Sequence, residues 1–182
     1  TAVTTAPSAR GEHRDARERE MSEGIAIRLA TEADARVVAR HRVAMFRDMG
    51  TLPAEQGPPL ERAAEAYFRR AIPQGSYAGW LATPEGRPGD IIGGAGIQLR
   101  ESIPRLRLDR AGVDPGPQGL IVNVYTEPAW RRRGVAELLV RAILRFAKER
   151  GIDNVVLHAS AQGRSLYEKL GFKQTNEMRF ET

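Results

Sequence analysis

The chain contains no cysteine. That excludes disulfides, a thiol nucleophile and cysteine-based metal sites. Histidine is almost as scarce: His13, His41 and His158 lie far apart, and none opens an HExxH pair. A metal enzyme is therefore not expected. No apolar run approaches the ~20 residues needed to span a bilayer, and no secretory signal is legible, which makes the cytoplasm the default location. No internal repeat is visible. What the chain does have is arginine. Lysine and arginine number 28 against 23 acidic residues, for a net charge of +5. Such an excess suits phosphates, nucleic acid or an acidic surface, and equally a solvated arginine-rich exterior. The length of 182 residues and an apolar content of 41% suit one domain with a real core.

Residues 1–20 lack apolar periodicity and read as an N-terminal extension, natural or appended, with Met21 near the start of a single domain over 21–182. Beyond it, IAIRL (25–29) alternates as a strand should. Thr31 with Asp34 three residues on has the form of a capping box, opening a helix to about Met49 with Val37, Val38, His41, Ala44 and Met45 on one face. A second helix is expected over 58–72, then a hairpin of strands 76–83 and 90–99. Within the latter, Gly93, Gly94 and Gly96 suggest a dinucleotide fingerprint, but the last glycine is missing and no helix follows. A strand with close backbone approach, or a bulge, accounts for them.

Residues 101–118 form a long loop rich in proline, glycine and arginine. GLIVNVYT (119–126) is the strongest strand pattern in the chain. The run Arg131-Arg132-Arg133-Gly134 then meets a helix expected over 134–150, with Val135, Leu138, Leu139, Ala142, Ile143 and Phe146 at helical spacing. Gathering cations at a helix start, where the dipole is already positive, calls for an anion. The first N–H groups of a helix have no intrahelical partner, Gly134 carries no side chain to block approach, and a phosphate can sit there with arginine adding charge-assisted hydrogen bonds. Several donors along the turn suit a pyrophosphate. No GK[ST] follows, so this is not a nucleoside-triphosphate loop. A strand over 154–160, a short helix over 161–171 and one or two terminal strands complete the pattern. The order is β-α-α-β-β-β-α-β-α-β: an α/β fold with a mixed sheet.

The stretch VYTEPAWRRRGVAELLV (124–140) resembles motif A of the GNAT superfamily of N-acetyltransferases, an Arg/Gln-x-x-Gly-x-Gly/Ala turn after a strand. About 30 residues on, SLYEKLGF (165–172) resembles the family's motif B. The resemblance spans about residues 25–181. It implies the acyl-CoA N-acyltransferase fold, a mostly antiparallel central sheet of six to seven strands flanked by about four helices. It implies an acetyl-CoA-dependent N-acetyltransferase with acetyl-CoA as acyl donor, no metal, and direct attack by a primary amine of a small molecule, peptide or protein.

On this resemblance Val124, Tyr125 and Thr126 pair with the pantetheine arm, and Arg131, Arg132, Arg133, Gly134, Val135 and Ala136 hold the pyrophosphate. A backbone N–H near Val124 serves the oxyanion, and Tyr167 acts as general acid to the thiol. Ser160 stands where many relatives have Asn, and Gly163 where they have Ala. Ser160 is either a cofactor contact or the N-cap of the helix that follows. Asn123 and Tyr125 alternate to one face and, with the first two helices, line the acceptor pocket. Trp130 packs beneath the turn. The general base stays open among Glu127, Asp48, His41 and His158, the last reading as a structural histidine mid-strand. An aminoacyl-tRNA-acetylating enzyme and a non-catalytic acyl-CoA-binding module are the alternatives. A nucleic-acid or membrane partner is not expected, and a homodimer is compatible. Acceptor choice falls to residues 46–60 and 101–118, which carry no readable motif.

Overall fold

The computed structural model describes residues 24–107, 111–114, 116–175, 177, 178 and 180. The expected extension over 1–20 lies outside them. Seven strands and four helices follow in chain order: β1 Ile25–Leu29, α1 Ala35–Asp48, α2 Gly57–Ala71, β2 Tyr77–Pro84, β3 Gly93–Arg100, β4 Arg105–Leu106, β5 Val113–Asp114, β6 Gln118–Thr126, α3 Val135–Glu149, β7 Val155–Leu157 and α4 Arg164–Lys169. Among the described residues no helix is long and apolar enough to cross a membrane.

The central sheet has the order β1-β2-β3-β6-β7. All its pairings are antiparallel except the last, in which β6 and β7 run parallel. Helices cover both faces, so the inner strands read as nearly unbroken apolar runs rather than alternating ones. On one face α1 and α2 bury Val38, Ala39, Ala64 and Phe68 against Tyr77 and Leu81. On the other, α3 lays Leu139, Ile143 and Ala147 over Ala82, Ala95, Ile97 and Ile121. Burying each large aliphatic side chain contributes about 1.5–3 kcal/mol.

The sheet is smaller than the resemblance implied. Five strands form it, and β4 with β5 make a separate two-stranded ribbon inside the 101–118 loop. The terminal strands expected after Gly171 are not present among the described residues. The 154–160 strand contracts to three residues, because Ser160 already accepts the backbone N–H groups of Gly163 and Arg164 (both 3.1 Å) and turns the chain into α4.

The capping box is present at Thr31 and Asp34. Asp34 also takes a two-pronged hydrogen bond from Arg28 on β1, 2.8 Å at each oxygen. That bond, ahead of the Thr31 contacts, holds its carboxyl down at about 2. At the far side of the sheet, Glu137 in the first turn of α3 is buried between Arg141 and Lys169. Burial raises its pKa, yet the two cations outweigh burial and leave it below the usual range. The pair thereby fastens α4 to α3.

The glycines of β3 mark close approach, as the sequence suggested. A Cβ on Gly96 would lie 2.0 Å from the Tyr77 hydroxyl, and Tyr77 is buried. Gly96→Ala is accordingly expected to destabilise by about 1–3 kcal/mol, the range for an overpacked core. Gly89→Ala, where a Cβ meets nothing within 4 Å, should stay within about 0.5 kcal/mol of wild type. Urea midpoints of the two variants check this.

Candidate active site

The site begins where two strands part. β6 pairs with β7 only through Gly119, Leu120 and Ile121, opposite Val155, Val156 and Leu157. β7 then ends, while β6 continues to Thr126. From Val122 onward β6 therefore presents an edge with no strand beside it among the described residues, a row of backbone donors and acceptors able to pair with an extended ligand. Thr126 Oγ1 on this stretch is buried without a hydrogen-bond partner.

On its other edge β6 carries a bulge. Gly94 faces Tyr125 and Gly96 faces Val122, so Asn123 and Val124 together oppose Ala95. Asn123 takes a left-handed φ of 58°, a conformation Asn tolerates better than most residues. Such a bulge re-aims the side chains around it. Val122 packs with the α1/α2 core and Val124 with the α3 core. Asn123 accepts a 2.8 Å hydrogen bond from Arg42 Nη1 of α1, and the Tyr125 ring lies 5.0 Å from the His41 ring of the same helix. Asn123 and Tyr125 thus both turn toward α1, as the alternation suggested.

β6 runs out into a short 3-10 turn, Pro128–Trp130, and then into the arginines. Gly134 is the N-cap of α3, with φ 79° and no side-chain cap. Its first N–H groups are left to whatever approaches, and the left-handed φ is one that glycine adopts freely. Arg132 also has a positive φ, 63°. The three arginines divide the work. Arg132 is exposed. Arg133 lies over the Trp130 ring at 5.0 Å, and that half-buried ring packs against the α3 core, beneath the turn. Arg131 folds back: its Nε donates to the Thr126 carbonyl at 3.1 Å, and its guanidinium pairs with Asp48 at the end of α1. Arg131 therefore ties β6 to α1, a role that no local pattern in the chain signals. Val135 is buried and Ala136 half-buried as α3 starts.

A cluster of ionisable groups closes the α1 side. Glu127 Oε1 lies 3.5 Å from Arg40 Nη2 and 3.8 Å from His41 Nε2, and its Oε2 accepts from the Tyr125 hydroxyl at 3.3 Å. His41 is buried with neither ring nitrogen hydrogen-bonded. Burial first, and Arg40 second, drop its pKa to about 4, so it is neutral at pH 7. Burial, followed by Glu127 and Asp48, raises the Tyr125 phenol. Three of the four candidate bases, Glu127, Asp48 and His41, meet here.

His158 does not. It lies past the end of β7 rather than mid-strand, is exposed, and stands 3.5 Å from Glu177. Its expected place inside a strand failed because β7 stops at Leu157. Ser160 Oγ accepts the Gly163 N–H at 3.2 Å within the turn ahead of α4; the N-cap of that helix is Gly163, not Ser160. Tyr167 packs with Phe172, Leu157 and Val124 against the α3 core, and burial raises its pKa. A Cβ at Gly163 would lie 3.1 Å from the Tyr167 ring, so glycine at this position relieves crowding there. Arg40 and Arg42 are the polar residues that the sequence reading passed over. Their signal was faint: two arginines flanking a histidine on a helix whose other arginines are exposed. Among the described residues no group of three or more His, Asp or Glu could hold a metal ion.

A splayed strand pair leading to an uncapped, arginine-flanked helix start is an acyl-CoA architecture, and comparison with known proteins agrees. Residues 25–172 match the acetyltransferase (GNAT) family model, and the chain belongs to that family. A GCN5-related N-acetyltransferase from Ralstonia eutropha JMP134 superposes with a TM-score of 0.76 at 30% identity, over 87% of this chain and 99% of that one. A predicted acetyltransferase from Clostridium acetobutylicum, solved with acetyl-CoA, gives 0.74 at 27% identity, over 87% and 96%. Aminoglycoside N(6')-acetyltransferase type 1 of Acinetobacter haemolyticus is 32% identical over 76 residues, 37% of this chain. The match spans about half of that curated relative's length, 48%.

The depressed pKa of His41 has a consequence for stability. Between its ordinary value of 6.5 and about 4, the unfolded chain binds a proton that the folded chain refuses. Stability that is full above pH 6.5 is therefore lost as pH falls toward 4, by about 3 kcal/mol over the interval. Urea unfolding at pH 7 and pH 4.5 should show a smaller acid loss in His41→Asn than in wild type.

Proposed function

We propose that the chain is an acetyl-CoA-dependent N-acetyltransferase that moves the acetyl group directly to a primary amine. The observation that carries this reading is the free edge of β6 running into the uncapped start of α3. The cofactor's shape fits that path. Its pantetheine arm would pair with the backbone of Val124, Tyr125 and Thr126, where Thr126 Oγ1 offers an unpartnered hydroxyl. Its pyrophosphate would rest on the N–H groups from Arg132 to Ala136, favoured by the helix dipole and by Arg132 and Arg133. Arg131 contributes chiefly by holding Thr126 and α1 in place.

The acceptor would approach from the α1 side, past Asn123 and Tyr125. An alkylamine with pKa ~10.4 arrives protonated and must lose its proton before attack. Glu127 is the best-placed acceptor of that proton. Asp48 is held by Arg131, and a buried His41 with a pKa of about 4 is a weak base. The amine nitrogen then bonds to the thioester carbon, and the backbone N–H near Val124 stabilises the resulting oxyanion. As the carbon–sulfur bond breaks, the thiolate takes a proton from Tyr167, and the second proton leaving the new amide nitrogen restores the phenol. The raised pKa of that phenol keeps it protonated at neutral pH, the form a donor needs. The amide and free coenzyme A are the products. A non-catalytic binding module would need neither Tyr167 nor a carboxylate at Glu127.

Two variants separate binding from chemistry. In calorimetric titration with acetyl-CoA, Gly134→Asp should weaken affinity at least tenfold, about 1.4 kcal/mol, with an intact unfolding midpoint as the folding control. Tyr167→Phe should bind within about threefold of wild type but lose on the order of 10²-fold in kcat. Unchanged binding in Gly134→Asp would remove the coenzyme assignment. Unchanged kcat in Tyr167→Phe would remove Tyr167 from the reaction.

A further inference from the structure

Five arginines among the described residues are half-buried: Arg28, Arg42, Arg105, Arg107 and Arg141. Four have a carboxylate. Arg28 sits on Asp34 at 2.8 Å, Arg105 on Asp153 at 2.8 Å, Arg107 near Asp153 at 4.0 Å, and Arg141 on Glu137 at 2.8 Å. Arg42 has none among the described residues. Its Nη1 donates to a neutral amide oxygen, Asn123 Oδ1, and its guanidinium lies over the Phe46 ring at 4.9 Å. The polar groups around it are the phenols of Tyr77 and Tyr67, the latter accepting from Gln98 at 2.9 Å. Burial raises the Tyr77 phenol, so it supplies no negative charge at neutral pH. Of the exposed arginines on the α1 side, Arg40 pairs with Glu127 and Arg131 with Asp48.

A partly desolvated guanidinium without an anion costs free energy that a neutral amide and a ring return only in part. Sites keep such a charge where a ligand supplies its partner. The position is specific: Arg42 bonds the residue that forms the β6 bulge, next to Val124 and on the face that Tyr125 shares. Taking the acetyltransferase reading as given, we infer that Arg42 is a specificity residue for the acceptor. It binds an anionic group, carboxylate or phosphate, carried by the same molecule that presents the amine. The guanidinium fork matches either oxyanion in two-pronged fashion. Such a charge disfavours a polycation, whose second ammonium would meet Arg42 rather than a carboxylate. The acceptor class is therefore zwitterionic, an amino acid or amino-sugar phosphate in kind, rather than an aminoglycoside.

The test uses the full chain, matched acceptor pairs and two readouts. The pairs are alanine against alaninamide and glucosamine 6-phosphate against glucosamine, with kanamycin as the polycation. Acetylation is followed by coenzyme A release, and binding by calorimetry on the CoA-saturated protein, in which the phosphate turn of α3 is already filled. An anionic member of one pair should exceed its neutral twin at least tenfold in kcat/KM or in affinity, and the pair that responds says whether the anion is carboxylate or phosphate. Arg42→Gln should bring that ratio close to one, chiefly through KM, while Arg42→Lys restores part of it. A merely structural role would lower all acceptors alike and leave the ratio standing. Preference for a neutral acceptor or for kanamycin, a ratio unchanged in Arg42→Gln, or no affinity of the CoA-saturated protein for any anionic member overturns the inference. Acetyl-CoA binding, measured separately, tells this failure from that of the enzyme reading: a wild type that does not bind the coenzyme removes both, whereas intact binding without anion preference removes this inference alone.

Discussion

One extra residue in β6 organises the site. Asn123 and Val124 share the single partner Ala95, and the chain absorbs the surplus by putting Asn123 in a left-handed conformation. Without that step Val122 and Asn123 would face opposite sides of the sheet. With it Asn123 meets Arg42, Tyr125 meets His41, and Val124 faces the core that holds Tyr167. The bulge also bends the strand and strengthens its local twist, and it falls where the β6–β7 ladder gives out. The α1 face and the α3 face of the strand are thus set by one backbone feature.

The parting of β6 from β7 has its own cause in the chain. β7 has only three residues before Ser160 begins to organise α4. Tyr167 and Phe172 pack edge to face at 6.0 Å and, like Leu157, lie against the α3 core. Lys169 reaches Glu137 and holds α4 against the first turn of α3. The same short helix therefore carries the proposed proton donor and buttresses the proposed phosphate turn. A change that loosened the Glu137 cluster would disturb both.

How much of this was readable depended on what carries it. The turn into α3 was legible because an arginine run, Gly134 and a strong helical stripe over Val135, Leu139 and Ile143 leave few alternatives. The strand before it was legible by its apolar run. Both signals are local. The bulge was not legible, because Asn123 in a strand reads as one more alternating residue, and only pairing with Gly94 and Gly96 makes the surplus visible. Arg131 read as a phosphate ligand because its partner, Asp48, lies 83 residues away in sequence. The expected extra strands rested on family likeness and on short polar-rich segments, where length and pairing partners, not propensity, decide whether a strand forms. Arg42 escaped for the same reason as Asp48. Its meaning lies in what surrounds it, and no spacing in the sequence records the absence of a carboxylate.

The charges around the acceptor side show why that absence matters. Arg40, Arg42 and Arg131 face two carboxylates, Glu127 and Asp48. His41 adds nothing at neutral pH because burial keeps it uncharged. The balance of three guanidiniums against two carboxylates leaves one positive charge, and it falls on Arg42, the least exposed of the three. A zwitterion corrects this in the order catalysis needs. Its anionic group would neutralise Arg42, while its ammonium would be drawn to Glu127, the carboxylate proposed to take its proton. A neutral amine would correct nothing, and a polycation would add to the excess. In a partly desolvated pocket such mismatches are poorly screened, so the same pair of charges that orients the acceptor also selects it.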